Sequence, residues 1–320
     1  MNRMLDEGMH AVADPRHWEE SFYFNWSDRA ADAFGFARIS YNRERGHADA
    51  VVLTMRDGKP ELLYPAVRQR VSGDVAFGEP LTVRGLTLTM EEPYARWKIE
   101  LRGADQVDLQ WTAFTGVADV RDSPLTVPDD IEFDHYEQSG SVTGSITVRG
   151  RTYAIDGFGH RDHSWGWRDW STITGWDWIA GQAGDRFAFN MTEIQFRGER
   201  HLVGFVHAND QTQLVERAEY EYRMDTKDAS RPVGAIVVLT TVTGEQAKVI
   251  LAAEAQFPLV KAGLFLQETK ASFSAEFRGE SFEGNGVIEH TFHVGTVGTA
   301  RRAPVLARML ARTSPWRVLR

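Results

Sequence analysis

Between Gly157 and Trp178 the chain reads GFGHRDHSWGWRDWSTITGWDW. Five of its ten tryptophans, two histidines, three aspartates and two arginines fall in that stretch. Ionisable groups set among large rings lose water, and desolvation with mutual pairing moves pKa values in the way proton-transfer sites need. General acid–base chemistry fits this composition best. His163 is the expected proton donor or acceptor, with Asp162, Asp169 or Asp177 to orient it. His160, Trp165, Trp167, Trp170, Trp176 and Trp178 are the expected lining of the site. Each indole face can stabilise a cation by roughly 0.5–2 kcal/mol when desolvated. Protonating an alkene or ionising an allylic alcohol makes such a cation, so hydration, dehydration and cyclisation all come within reach. A structural reading stands beside this one: rings stack, Asp pairs with Arg, and the cluster plugs a barrel end or joins two domains.

Other chemistries fit less well. His160 and His163 are three apart, with Asp162 or distant His207 as a third ligand, but the glycines around them argue against a shared helix face and no His-Glu-x-x-His is present. No metal and no cofactor is expected. Gly157-Phe158-Gly159 lacks the residues that complete a phosphate loop or a dinucleotide fingerprint. His163-Ser164-Trp165 is not a nucleophile elbow, so Ser164 reads as a hydrogen-bond partner. Tyr136, Glu137 and Gln138 read as a polar strand face or as cavity lining. Glu193 shares a strand face with Met191 and Phe189, where burial would raise its pKa and fit it to donate a proton; an exposed edge is the other reading. Arg161 and Arg168 are expected to pair with Asp162, Asp169 or Asp156, and His207 to be a satisfied strand histidine.

The elements that must position these groups are strands. Val83–Met90, Ala95–Leu101, Val107–Phe114 and Val142–Val148 alternate with period two and carry β-branched or aromatic residues. So do Arg186–Ile194, Leu202–His207, Arg217–Met224, Gly234–Val242, Lys248–Ala253, Ala271–Phe277 and Gly284–His293. Turn pairs such as Asp57-Gly58, Arg149-Gly150 and Thr243-Gly244 separate strands. Only the residues around Asp14–Ser21, a short turn near Asp28–Ala33 and the tail look helical. Gly157–Trp178 lacks clean alternation, and its glycines permit tight bends or a close approach by another group. Many short strands mean sandwiches or barrels. The expected fold is all-β, with two lipocalin-like antiparallel barrel or sandwich domains and a short C-terminal helix. Asp122–Asp130 (DSPLTVPDD) is the expected linker, dividing residues 1–128 from 129–320. A barrel of eight or more strands can enclose one apolar ligand.

The chain has 320 residues, a net charge of −9 and no cysteine, which excludes disulfides, thiolate nucleophiles and cysteine-bound metals. The acidic balance argues against nucleic acid. The start lacks a signal-peptide apolar run, and no stretch approaches the roughly 20 apolar residues of a spanning helix. A cytoplasmic location follows as the expectation. The basic tail Ala300–Arg320 either packs on the body or touches an anionic membrane surface.

His135–Gly140, Ser141–Gly144 and Ile155–Trp170, with Arg161-Asp162-His163-Ser164-Trp165-Gly166 at the centre, resemble a bacterial branch of the two-domain lipocalin-like proteins. That group includes carotenoid hydratase, kievitone hydratase and fungal Diels–Alderases. Trp18–Asn25 is similar to the family's opening strand, and Gly284-x-Gly286-x-x-Glu289 to its closing strand. Carotenoid hydratase uses a His-x-Trp pair, matched here by His163 and Trp165, followed by a downstream Tyr and Asp. Asn190 and Thr192 occupy the region of that downstream pair, and Asp177 is the nearest carboxylate. The resemblance therefore implies the fold, a hydrophobic ligand and an acid–base role for His163 rather than carotenoid hydration. The expected function is a cofactor-independent hydratase or dehydratase, isomerase or cyclase acting on an isoprenoid-, steroid- or polyketide-like molecule. Its rival is a non-catalytic carrier of such a molecule.

Overall fold

A long run of β-branched and aromatic residues broken by two-residue turns leaves the chain little choice but antiparallel sheet. A computed structural model describes residues 3–12, 15–71, 75–123, 133–168, 172–196, 198–228, 230–261 and 263–312. After a 3-10 segment at Arg3–Glu7 come β1 (Trp18–Asp28), β2 (Ala33–Asn42), β3 (His47–Arg56), β4 (Lys59–Arg70), β5 (Leu81–Val83), β6 (Leu86–Glu92), β7 (Arg96–Leu101), β8 (Gln106–Ala113) and β9 (Ala118–Asp119). Then follow the long β10 (Phe133–Val148) and β11 (Arg151–Trp167). The second run is β12 (Ile173–Ala183), β13 (Phe187–Phe196), β14 (Glu199–Ala208), β15 (Gln211–Met224), β16 (Pro232–Thr241), β17 (Gln246–Lys261), β18 (Leu264–Phe277) and β19 (Glu280–His293). The helix α1 (Gly295–Arg312) closes the described chain. The all-β architecture with a C-terminal helix is as the sequence implies.

The first unit is a curled sheet in the order β4-β3-β2-β1-β11-β10-β8-β7-β6-β5. It wraps a core that includes Phe22, Phe24, Trp26, Trp97, Trp111 and Ile146. The second unit is a closed barrel of β12 to β19 around Ile179, Phe187, Phe189, Met191, Phe273 and Ile288. The expected division at 128/129 is corrected by the pairing: β10 and β11 hydrogen-bond to β8 and β1, so they belong to the first unit, which runs on to Arg168. The proposed linker lies mostly outside the described residues, as do Asp169 and Trp170; its first residues close a 3-10 turn capped by Asp119.

Two further expectations change. Trp18–Ser21 is strand rather than helix, and Asp14 is outside the described residues. Gly157–Trp167 is the second half of β11, and Ile173–Trp178 begins β12. Alternation fails in β1 and in this half of β11 because both sheet faces are buried there, and a doubly buried strand carries no in–out pattern. The glycines serve a close approach: a Cβ on Gly157 would lie 2.2 Å from the Ser27 carbonyl, and one on Gly159 1.9 Å from that of Asn25.

Candidate active site

Strand geometry decides which of the singled-out residues can meet, because successive side chains point to opposite faces. On β11, Arg161, His163 and Trp165 share one face, while His160, Asp162 and Ser164 share the other. The register places Phe22 and Tyr136 beside His163, and Tyr23 and Glu137 beside Asp162. Asp162 therefore cannot orient His163, and His160 cannot share a metal with it.

His163 finds a different partner. Its Nε2 lies 3.0 Å from Oε1 of Glu20, and the same oxygen is 2.8 Å from Nδ1 of His10. Phe22 stacks on His163 at 3.9 Å, and His10 stacks on Trp165 at 4.4 Å. Burial pushes Glu20 up, but hydrogen bonds from His10 and His163 outweigh it, and the pKa is lowered to about 2. Burial pushes His163 down more than Glu20 raises it. For His10, burial is outweighed by Glu20 and by Asp6 at 3.5 Å, and its pKa is raised. His163 is 1% exposed and its Nδ1 has no hydrogen-bond partner. His10, Glu20 and His163 each bring a donor atom within 4.8 Å of the others, the donor types of a two-histidine, one-carboxylate metal site. Both imidazoles already hydrogen-bond to the Glu20 carboxylate through those atoms, so an ion would have to displace both contacts.

The opposite face holds a second buried chain. Glu137 accepts from His135 at 2.7 Å and from His160 at 2.6 Å, and the Ser139 hydroxyl lies 3.0 Å from the other nitrogen of His160. Burial pushes the Asp162 carboxyl up to about 7 despite the attraction of His135.

A cavity opens elsewhere, at one end of the barrel lumen. Its volume is about 400 Å³, and it is lined by Asp177, Glu193, Gln195, Arg200, Ala218, Tyr220, Tyr222 and His290. Each continues an inward-facing row that lower down forms the core: Asp177 follows Ile179, Glu193 follows Met191, and His290 follows Ile288. Pairing of β14 with β15 runs only from Phe205↔Leu214 to Ala208↔Gln211, so the strands carrying Arg200 and Tyr220 part at this end. Asp177 accepts from Tyr220 at 2.8 Å on one oxygen, and from Tyr222 at 2.9 Å and His290 at 2.6 Å on the other. The Tyr220 hydroxyl is also 2.8 Å from Glu193, whose same oxygen meets Arg200 at 3.3 Å. Burial, then the charge of Asp177, pushes both tyrosines far up, so both stay protonated. A phenol has one proton. It can serve only one of the two carboxylates at a time.

Of the residues singled out in the sequence, Asp177 and Glu193 meet in this cavity, and the partner imidazole is His290 rather than His163. Trp176 and Trp178 face outward on β12; Trp176 donates to Glu289. Trp165 and Trp167 lie on β11 of the first unit. Arg161 pairs with Glu7, not with a neighbouring aspartate, and His207 bonds to Thr212 at 2.9 Å within its strand hairpin. Tyr220 and Tyr222 were not singled out, although the inward row Ala218-Tyr220-Tyr222 is a visible aromatic face in AEYEYR.

A family model described as a domain of unknown function, DUF7064, matches residues 3–294. The chain belongs to that family. No curated protein sequence matches it. A protein assigned as AttH from Nitrosomonas europaea is similar in structure, with a TM-score of 0.64 at 16% identity over 90% of this chain and 96% of that one. CghA, solved with Sch210972, gives 0.67 at 12% identity over 90% and 94%. Kievitone hydratase from Nectria haematococca gives 0.61 at 13% identity over 90% and 94%. The DUF7064 chain thus shares the fold of the lipocalin-like group that its motifs resemble.

Proposed function

We propose that this DUF7064 protein is an acid–base enzyme of the hydratase, isomerase or cyclase kind, with its proton-transfer centre in the barrel cavity. The observation that carries the proposal is the Tyr220 hydroxyl held 2.8 Å from both Asp177 and Glu193 at the wall of an open pocket. A phenol between two carboxyls can pass a proton in either direction, and His290 on Asp177 supplies a second route. Arg200 beside Glu193 offers a cation for developing negative charge. A substrate would place its oxygenated end here. The rest of an isoprenoid-, steroid- or polyketide-like body is a further part of the proposal, suggested by structural relatives that include a hydratase and CghA. The charged lining favours chemistry over storage, since a carrier of an apolar ligand gains from apolar walls.

The test needs no prior substrate. Extract small molecules are incubated with the protein in deuterated water, and mass spectrometry looks for compounds that gain deuterium on carbon. Wild type should label at least one compound, and Asp177→Asn and Tyr220→Phe should not, while each variant still binds it. Labelling that survives both substitutions, or no labelling by wild type, defeats the proposal.

A further inference from the structure

The first unit contains a charged group for which the proposed chemistry has no use. Arg161 is fully buried in the middle of an aromatic cage, its guanidinium carbon 5.1 Å from the ring centres of Trp111 and Tyr136 and 5.8 Å from that of Trp97. Its counter-charge is not on the sheet at all. Glu7, at the end of the N-terminal 3-10 segment, reaches in and is 0% exposed.

Four donors converge on that carboxylate. Arg161 Nη2 (2.7 Å) and the Tyr136 hydroxyl donate to one oxygen. The Trp97 indole N–H (3.1 Å) and the Tyr94 backbone N–H (2.8 Å) donate to the other. Two donors per oxygen is the full planar recognition of a carboxylate. Gln138 fixes the guanidinium from behind, accepting from Nε at 3.0 Å and Nη2 at 2.8 Å. Tyr94 presents its N–H from a left-handed conformation, φ 57°, which a bulky residue rarely adopts and which costs energy to hold. Every donor comes from the sheet or its turns, so the cradle is complete without the segment that fills it.

The 3-10 segment is held mainly by charged groups, with Met9 just beyond it packed against the core. Met4 and Leu5 are 52% and 59% exposed, while Glu7 and, through Glu20, His10 hold it to the sheet. Among core elements the arrangement is normally the reverse.

We propose that the Arg161–Tyr136–Trp97–Tyr94 cradle is a binding site for organic carboxylates, with Glu7 as its resident occupant. A carboxylate ligand that replaced Glu7 would sit against the Tyr136 hydroxyl, whose ring meets His163 edge-on at 5.5 Å. Its body would then lie where the N-terminal segment now covers that imidazole.

Glu7→Ala removes one methylene and one carboxylate, the heavy atoms of an acetate ion. The experiment is therefore a melting series of Glu7→Ala in sodium acetate against sodium chloride at matched ionic strength. Glu7→Gln serves as a control that keeps the space filled. Glu7→Ala should melt below wild type, and acetate at ten times its Kd should raise it by about 3–5 °C in a saturable way. Chloride should not do so, and Glu7→Gln and wild type should not respond to acetate. Acetate acting no better than chloride on Glu7→Ala, or equally well on Glu7→Gln, overturns the proposal. If Glu7→Ala is insoluble in chloride, the yield of soluble protein refolded in acetate replaces the melting point as the readout, with the same two outcomes.

Discussion

Replacing Glu20 by glutamine keeps the side-chain volume and removes the charge on which His10 and His163 converge. The pKa is lowered from 4.5 to about 2 in the fold. At about 1.36 kcal/mol per tenfold, that is worth roughly 3 kcal/mol to the folded state near neutral pH. Glu20 is completely buried, so solvent screening takes little of it away. For a unit of this size the loss lowers the melting point by about 6–12 °C. The pH dependence has a definite sign. A depressed carboxyl stabilises above its unfolded value, near 4.5, and the benefit fades as pH falls toward 2. His10 is raised, so its share is complete below 6.5 and fades as pH rises through the folded value. The deficit of Glu20→Gln should therefore be largest between about pH 4.5 and 6.5 and shrink in acid. Urea unfolding followed by tryptophan fluorescence reads it, since His10 stacks on Trp165. A deficit under about 1 kcal/mol at pH 6, or one unchanged between pH 6 and 3, refutes the reasoning.

Four other substitutions test three separate links. Asp162 is raised from 3.8 to about 7, so its ionisation opposes folding and wild type loses stability as pH climbs through that window. Asp162→Asn should flatten that decline, leaving the variant the more stable protein at pH 8; parallel melting profiles for the two would count against it. Tyr220→Phe removes the donor between Asp177 and Glu193 and should cost the barrel about 1.5–3 kcal/mol in urea unfolding, the range for hydrogen bonds to charged groups. A negligible cost would mean the contact is not made. Gly159→Ala puts a Cβ 1.9 Å from the Asn25 carbonyl and should separate β1 from β11, with loss of soluble protein. Gly184→Ala meets open space at φ 64° and should cost only about 1–2 kcal/mol, so equal costs at both sites would contradict the close-approach argument.

Alternation along strands such as Val107–Phe114 and Gly284–His293 made the all-β architecture legible, because one face of each meets a core and the other does not. β1 and β11 were harder to read for the opposite reason: with both faces buried, the dense His, Asp and Trp segment carries no in–out signal. Asp122–Asp130 has a linker's composition, yet the chain returns to the first sheet after it, and composition carries no information about return. Glu193 could be singled out because it continues an apolar row, and Asp177 because it lies in the dense His, Asp and Trp segment. Glu7, His10 and Glu20 could not, since the groups that give them meaning lie 143 to 154 positions away on β11. Tyr220 and Tyr222 alternate with glutamates and read as an ordinary amphipathic face until the barrel closes around them.

The pairing of β1 with β11 also constrains synthesis. Trp18 meets Trp167, so the opening strand leaves the ribosome about 150 residues before its central neighbour exists. At roughly 5–20 residues per second, that wait lasts on the order of ten seconds. Throughout it β1 offers an uncovered hydrogen-bonding edge, and the Glu7 acid has no Arg161 to neutralise it. Nascent chains stalled short of Gly166 should therefore depend on chaperones, and those stalled beyond it should not.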